Sequence, residues 1–200
     1  MSTPATLIER QTDLTRQLIL DAALETLERG SVADLTVRAV AKRANIAERT
    51  VFRYFPTRDD FLDAVAAHYR SKVEVPPPPR TLADLVALPR ALYSALEAKR
   101  QLTQASLHSD LAHRMRGWQA KERWSAVRKV IDAVAPRRSE EQRKLAAANV
   151  YYYVTASTWQ YFRFYLGFSL EDTISAAESA IDNTLTGLRG PRAAIASAGR

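Results

Sequence analysis

The chain contains no cysteine, three histidines, six glycines and two methionines in 200 residues, and no uninterrupted apolar run approaches membrane-spanning length. Without cysteine there are neither disulfides nor thiolate metal sites, a composition that fits a reducing cytoplasm. The histidines are His68, His108 and His113. Of these, His108 and His113 stand five apart, which at about 100° per residue turns them off a common helix face. A metal cluster with Asp110 is therefore not expected, and a solvated helix surface is. Neither a Ser–His–acid set nor a phosphate-cradling glycine loop is visible, so no catalysis, no metal and no cofactor is expected. Met1 to Thr12 holds only Leu7 and Ile8 as large apolar residues, too few for the core of a signal peptide. Without that core or a long apolar run, the reading is a cytoplasmic chain with no membrane association.

What is present is helical periodicity and positive charge. No strand pattern of useful length, internal repeat or extended heptad run occurs, so the predicted fold is all-α. With 46% hydrophobic residues the chain can hold one compact core, or a small head on a larger helical body; the helical repeat throughout favours the second. The formal net charge is +7, which makes an acidic polymer a plausible partner. That surplus is unevenly spread. Residues 1–75 carry 11 bases and 11 acids, whereas from Thr36 to Arg58 six bases (Arg38, Lys42, Arg43, Arg49, Arg53, Arg58) face the single acid Glu48.

The organising stretch is LTVRAVAKRANIAERTVFRYFPTRDDFL, Leu35 to Leu62. Thr36 can cap a first short helix whose apolar stripe is Val37, Val40, Ala41 and Ala44. Asn45 stands at a sharp turn, where Asn is the non-glycine residue that best tolerates the left-handed conformation. Ile46 plugs the angle. A second short helix from Ala47 to Phe55 carries Val51 and Phe55 inward and spreads Glu48, Arg49, Thr50, Phe52, Arg53 and Tyr54 over its remaining surface. Thr57 and Asp60 form a capping box for a longer helix through Phe61, Leu62, Val65 and Tyr69. Two short helices about a tight turn, followed by a third, read as a helix-turn-helix head for double-stranded DNA.

Position by position, Thr36–Ala41, Ala44–Ala47, Thr50–Phe55 and Arg58–Leu62 resemble the signature of the tetracycline-repressor (TetR-type) family of bacterial transcription regulators, over roughly residues 13–70. The family usually has Gly at Asn45, a hydroxyl residue at Ala47, Tyr at Phe52, His at Tyr54 and Lys at Arg58. Ala47 thus lacks a side-chain cap, a loss of about 1 kcal/mol, and Phe52 has no hydroxyl to give a phosphate. The resemblance implies DNA contacts from Thr36, Val37, Arg38, Glu48, Arg49, Thr50, Phe52, Arg53, Tyr54 and Arg58. Arg38 resembles a base-contacting position suited to guanine. Glu48 can accept from cytosine or pair with Arg49; Phe52 can touch a thymine methyl or fill the core; Thr50, Tyr54 and Arg58 look like phosphate anchors.

In chain order, Asp13 to Arg29 is a first helix with a stripe of Leu14, Leu18, Ala22 and Leu27 joined by Ile19 and Ala23, stopped by Gly30. Arg10 and Arg16 near its start can touch phosphate or lie free. Four prolines, Pro76 to Pro79, make an extended spacer after the helix Arg58–Val73. The boundary falls there, between a DNA-binding domain of residues 1–75 and a ligand-binding and dimerisation domain of residues 76–200. Thr81 and Asp84 open a helix from Leu82 to Lys99, which Pro89 is expected to kink or split. Leu102–Met115 follows as one helix or two. After it come Trp118–Ala135 and, behind a Ser139–Gln142 capping box, the longest segment, Glu140–Leu166. Gly167 stops that segment, and Ser169 and Asp172 cap a last helix to about Leu188 before a tail from Arg192 to Arg200 that is expected to be disordered.

The last two helices are apolar on more than one side, which predicts a second burial surface and a homodimer built as a four-helix interface. Such a two-fold assembly sets two recognition helices about 34–36 Å apart on a palindromic operator. The resemblance further implies an unknown, mostly apolar small-molecule effector in the body. Its expected lining is Tyr93, Leu96, Leu107, Leu111, Met115, Trp118, Trp124, Asn149, Tyr152, Thr155, Ala156 and Trp159; plain core packing is the competing reading of each. The function expected on this basis is a repressor released from its operator by that effector. The alternative is a ligand-independent DNA-binding accessory or scaffold protein controlled by a protein partner.

Overall fold

The computed structural model describes residues 7–29, 35–108 and 110–189, without the side chains of 7–10 and 110–119. The expectations for Gly30, Arg10 and the tail, and for the side chains of Asp110, Leu111, His113, Met115 and Trp118, lie outside the described residues. Among the described residues every regular element is helical: α1 (Leu7–Arg29), α2 (Val37–Ala44), α3 (Glu48–Tyr54), α4 (Arg58–Val73), α5 (Leu82–Ala98), α6 (Arg100–Leu107), α7 (Asp110–Val134), α8 (Glu140–Tyr152), α9 (Ala156–Gln160) continued by a π turn (Tyr161–Tyr165), and α10 (Leu170–Arg189). They form two compact units, Met1–Glu74 with Lys99–Gly117, and Val75–Ala98 with Trp118–Arg200.

In the first unit, α1 packs against α2, α4 and α6. It buries Ile19, Leu20, Ala23, Leu24 and Leu27, while Leu14 (66% exposed) and Leu18 (48%) stay outside, contrary to the expected stripe. Periodicity identifies the helix; which of two adjacent apolar stripes meets the neighbours depends on those neighbours. A second tie joins α1 to α4, where Asp21 pairs with His68 at 2.7 Å and Lys72 at 3.0 Å. α6 is anchored to α4 by the buried Tyr69 hydroxyl, which donates to Thr103 Oγ1 at 3.1 Å. Residues 99–117, read from sequence as part of the body, therefore pack with the head.

In the second unit, Leu85 and Leu88 of α5, Val127, Val130 and Ile131 of α7, Ala146, Ala147 and Val150 of α8, and Ile181, Leu185 and Leu188 of α10 share one core with Val154. Pro89 is buried inside an α5 that remains one helix. The break expected between Met115 and Trp118 does not occur: α6 ends at Leu107, and α7 runs unbroken from Asp110 to Val134.

The segment Glu140–Leu166 is not one helix. α8 ends at Tyr152, and Thr155 takes extended geometry (φ −122°, ψ 152°) to cap α9, its hydroxyl accepting from Thr158 N–H. A helix break orphans carbonyls, and a buried orphan is costly. Here each is met. The Tyr152 carbonyl accepts from Thr155 Oγ1 at 3.1 Å and Thr158 Oγ1 at 2.5 Å. The Tyr153 carbonyl accepts from Tyr93 OH at 2.5 Å, and the Val154 carbonyl from the buried Arg123 Nη1 at 3.3 Å. Arg123 Nη2 also donates to the Pro76 carbonyl at 3.2 Å, fastening the proline spacer. Burial, with Tyr152 and Tyr153 adding to it, raises the Tyr93 hydroxyl well above its ordinary range, so it stays a donor at neutral pH. Past the break, Arg163 pairs with Glu97 at 2.8 Å and Trp159 Nε1 donates to the same carboxylate at 3.1 Å, holding α9 and the π turn to α5.

Tyr93→Phe is therefore expected to cost about 1–2 kcal/mol by stranding the Tyr153 carbonyl, and Thr155→Ala about 1 kcal/mol through loss of the cap. Urea unfolding of both variants measures this; no change in either midpoint would mean that other groups satisfy the break.

Candidate nucleic-acid interface

Thr36 (φ −103°, ψ 152°) caps α2, its hydroxyl accepting from Ala39 N–H at 3.1 Å. The helix stops at Asn45, which is left-handed (φ 55°, ψ 44°), and Ile46 N–H returns to the Ala41 carbonyl at 3.0 Å. Asn bears this conformation with less strain than other non-glycine residues. α3 then starts at Ala47 without a side-chain cap, as its methyl group dictates. Val51 (0% exposed) and Phe55 (3%) fix the roll of α3, Phe55 meeting Phe61 edge-on at 5.6 Å between ring centroids. Both halves of the Thr57–Asp60 capping box are made, which sets the start of α4.

With those anchors in place, Thr36, Arg38, Glu48, Arg49, Phe52, Arg53 and Arg58 are exposed and Val37, Thr50 and Tyr54 half-buried. The six bases of this stretch split into two groups. Arg43 is turned back onto α1, donating from Nε to Thr26 Oγ1 at 3.1 Å with Glu25 at 3.7 Å. Arg58 donates to the Leu35 carbonyl at 3.5 Å, so part of its fork serves the fold. Arg53 lies over the Tyr54 ring, 5.3 Å from the centroid. Arg38, Lys42 and Arg49 form no ion pair with a described residue, and Glu48 does not pair with Arg49. Arg38 and Lys42 stand one turn apart on one flank of α2, which adds Lys42 to the site. Its signal was already present, since it lies off the apolar stripe of Val40, Ala41 and Ala44. Arg16, read as a phosphate contact or a free side chain, packs over the Phe55 ring at 5.3 Å.

The residues expected to line an effector site are dispersed. Tyr93, Leu96 and Trp159 are fully buried. The polar ends of Tyr93 and Trp159 are taken by the Tyr153 carbonyl and Glu97. Trp124 is half-buried, edge-on to Tyr151 at 5.9 Å. Thr155 and Ala156 are half-buried at the start of α9, and Leu107 is half-buried in the other unit. Asn149 and Tyr152 are exposed on α8. Asn149 lines an open groove against α10 with Gln142, Leu145, Asn183, Thr184 and Gly187. Among the described residues no cluster of His, Cys, Asp or Glu fit to hold a metal occurs, and no helix is long and apolar enough to cross a membrane.

Residues 19–65 match the family described as bacterial regulatory proteins, tetR family. A 56-residue stretch is 41% identical to an uncharacterized HTH-type transcriptional regulator of Mycobacterium tuberculosis (strain ATCC 25618 / H37Rv), over 28% of this chain and 26% of that protein. Another, of 59 residues, is 36% identical to the HTH-type transcriptional repressor KstR of Rhodococcus jostii (strain RHA1), over 30% and 28%. The similarity thus spans about a quarter of the length of these curated relatives. In three dimensions the chain is similar to the crystal structure of a TetR-like transcriptional regulator from Rhodococcus sp. RHA1, with TM-score 0.62 over 94% of this chain and 100% of that one. At 16% sequence identity that likeness is one of fold.

The split among the bases has a measurable consequence. Arg43→Ala is expected to destabilise the protein by roughly 1 kcal/mol through its lost bonds to Thr26 and Glu25, and Arg49→Ala to stay within about 0.5 kcal/mol of wild type. Chemical denaturation of the two variants tests the assignment, which equal losses would refute.

Proposed function

We infer, from the premise that this chain belongs to the tetR family of bacterial regulatory proteins, that it is a sequence-specific DNA-binding transcriptional regulator acting as a homodimer on a palindromic operator. The observation that carries the reading is the α2–Asn45–α3 unit. A left-handed turn and two buried anchors leave Arg38, Lys42, Arg49 and Phe52 outside, uncommitted to the fold. Arg38 near the start of α2 is assigned to a guanine edge through its paired donors, and Glu48 and Arg49 at the start of α3 to base edges deepest in the major groove. Thr36, Val37, Thr50 and Tyr54 line the sides of that surface as backbone contacts. Arg53 and Arg58 are assigned to phosphate, which positions the protein without reading sequence.

Dimerisation is supported by the open face of the body. Leu145 (59% exposed) lines the groove whose α10 wall is Asn183, Thr184 and Gly187, and Tyr152 (56%) also stands out from α8. Large apolar side chains next to a small-residue face suit helix-on-helix packing between two copies. Release by an apolar effector follows by linkage: a ligand preferring the body conformation with badly spaced heads weakens operator binding by its differential affinity, typically about 1–3 kcal/mol. The alternative, an accessory protein answering to a protein partner, draws support from Tyr93 and Trp159, whose polar ends are already bonded within the fold. Operator binding titrated against a panel of apolar metabolites separates the two.

Selection of bound duplexes from random sequence is expected to return an inverted repeat with half-sites about one helical turn apart. On that site Arg38→Ala is expected to lose about 1–3 kcal/mol of discrimination at one base pair per half-site. Recovery of unrelated sequences, or uniform weakening by Arg38→Ala, would count against the reading.

A further inference from the structure

Phe52 has no task in the fold. It is 49% exposed on a helix whose inward side is occupied by Val51 and Phe55. Between Leu35 and Glu74 it is the one large apolar side chain, among the described residues, left exposed. Its ring meets neither another ring nor a cation among those residues, since Arg53 lies over Tyr54 and Arg16 over Phe55. A phenyl group cannot donate to a phosphate, so backbone anchoring does not explain it. The exposed side chains one turn before it and next after it are charged: Glu48, Arg49 and Arg53. An apolar ring in this company finds few complementary groups on a duplex. In the major groove the only apolar group is a methyl at C5 of a pyrimidine.

Glu48 narrows this further. At i and i+4, Glu48 and Phe52 share one flank of α3, their Cβ atoms about 5–6 Å apart. A carboxylate accepts from the N4 amino group of cytosine, and C5 is the ring atom next to the carbon that bears N4. Carboxylate and phenyl together therefore match the C4–C5 edge of a 5-methylated cytosine, whereas thymine carries an acceptor oxygen at C4 and offers the phenyl its methyl alone.

Resting on the reading of the head as a DNA reader, we propose that the Glu48–Phe52 flank of α3 recognises a 5-methylpyrimidine in each operator half-site, the Phe52 ring packing on the methyl group. The methyl has two sources, thymine and 5-methylcytosine. If Glu48 and Phe52 engage one base, that base is cytosine and its methylation tightens binding. If Phe52 reaches the adjacent pair, the methyl is that of thymine.

The test uses the full-length protein and the duplex recovered by random selection, in two arms. One replaces each thymine in turn by deoxyuridine; the other replaces each cytosine by 5-methylcytosine. At one position per half-site, affinity is expected to change by about fourfold, the equivalent of ~0.8 kcal/mol for one buried methyl-sized group. The change is a loss in the thymine arm or a gain in the cytosine arm. Phe52→Ala, folded by circular dichroism, is expected to abolish the effect. Affinity that ignores C5 substitution at every position of both arms overturns the proposal, as does an effect that survives in Phe52→Ala. The wild-type arms decide even if the variant does not fold. Failure to recover any preferred duplex would instead overturn the regulator reading on which this proposal rests.

Discussion

Burial of Val51 and Phe55 sets the roll of a seven-residue helix, and the surface the head offers to solvent follows from it. A helix that short has little stability of its own, since nucleation is costly and few bonds repay it. Tertiary packing holds it. The left-handed turn at Asn45 delivers the chain into α3, and the edge-on pair of Phe55 and Phe61 closes its far end onto α4. With both ends held, Arg49 and Arg53 have no inward option and Phe52 has no core to join. Arg43 and Arg58, by contrast, reach polar groups of the head itself.

The body is governed by a different constraint, the cost of a helix break inside a packed unit. Between Tyr152 and Ala156 three consecutive carbonyls leave the helical ladder, and side chains from α5, α7 and α9 take them up. This explains why Arg123 is buried although charged: it donates to two carbonyls and ties the proline spacer to the break. It also explains the polar ends of Tyr93 and Thr158. Tyr93 and Thr155, two residues of the expected ligand lining, bond to this irregular backbone. Beyond the break, the π turn leaves Tyr161 (49% exposed), Tyr165 (68%) and Leu166 (48%) outside, which enlarges the open apolar surface of the body beyond the faces of α8 and α10.

Local signals were legible where their physics is local. The caps at Thr36, Thr57, Thr81, Ser139 and Ser169 are formed within three or four residues, as is the stop at Gly167 (φ 71°). The inward placement of Val51 and Phe55 followed from their spacing, and with it the exposed set on α3. Lys42 was visible among the bases but was not singled out as a contact. The face α1 buries and the true start of α7 were not legible, because each depends on a neighbour distant in sequence. Nor was the division of labour among the six bases: Arg43 and Arg49 are alike as sequence, and only Thr26, 17 residues upstream of Arg43, makes them different.

By itself, then, the amino-acid order determined an all-helical chain, a capped head with a turn at Asn45, the family of that head, and a proline spacer after α4. Those features rest on propensities, caps and periodicities that act over one or two turns. The tertiary structure alone decided that residues 99–117 pack with the head and that the long body segment breaks after Tyr152. It also decided which guanidinium groups remain available to a partner. These outcomes turn on hydrogen bonds and burial between residues tens of positions apart, where a donor such as Tyr93 or Arg123 is chosen by proximity in space.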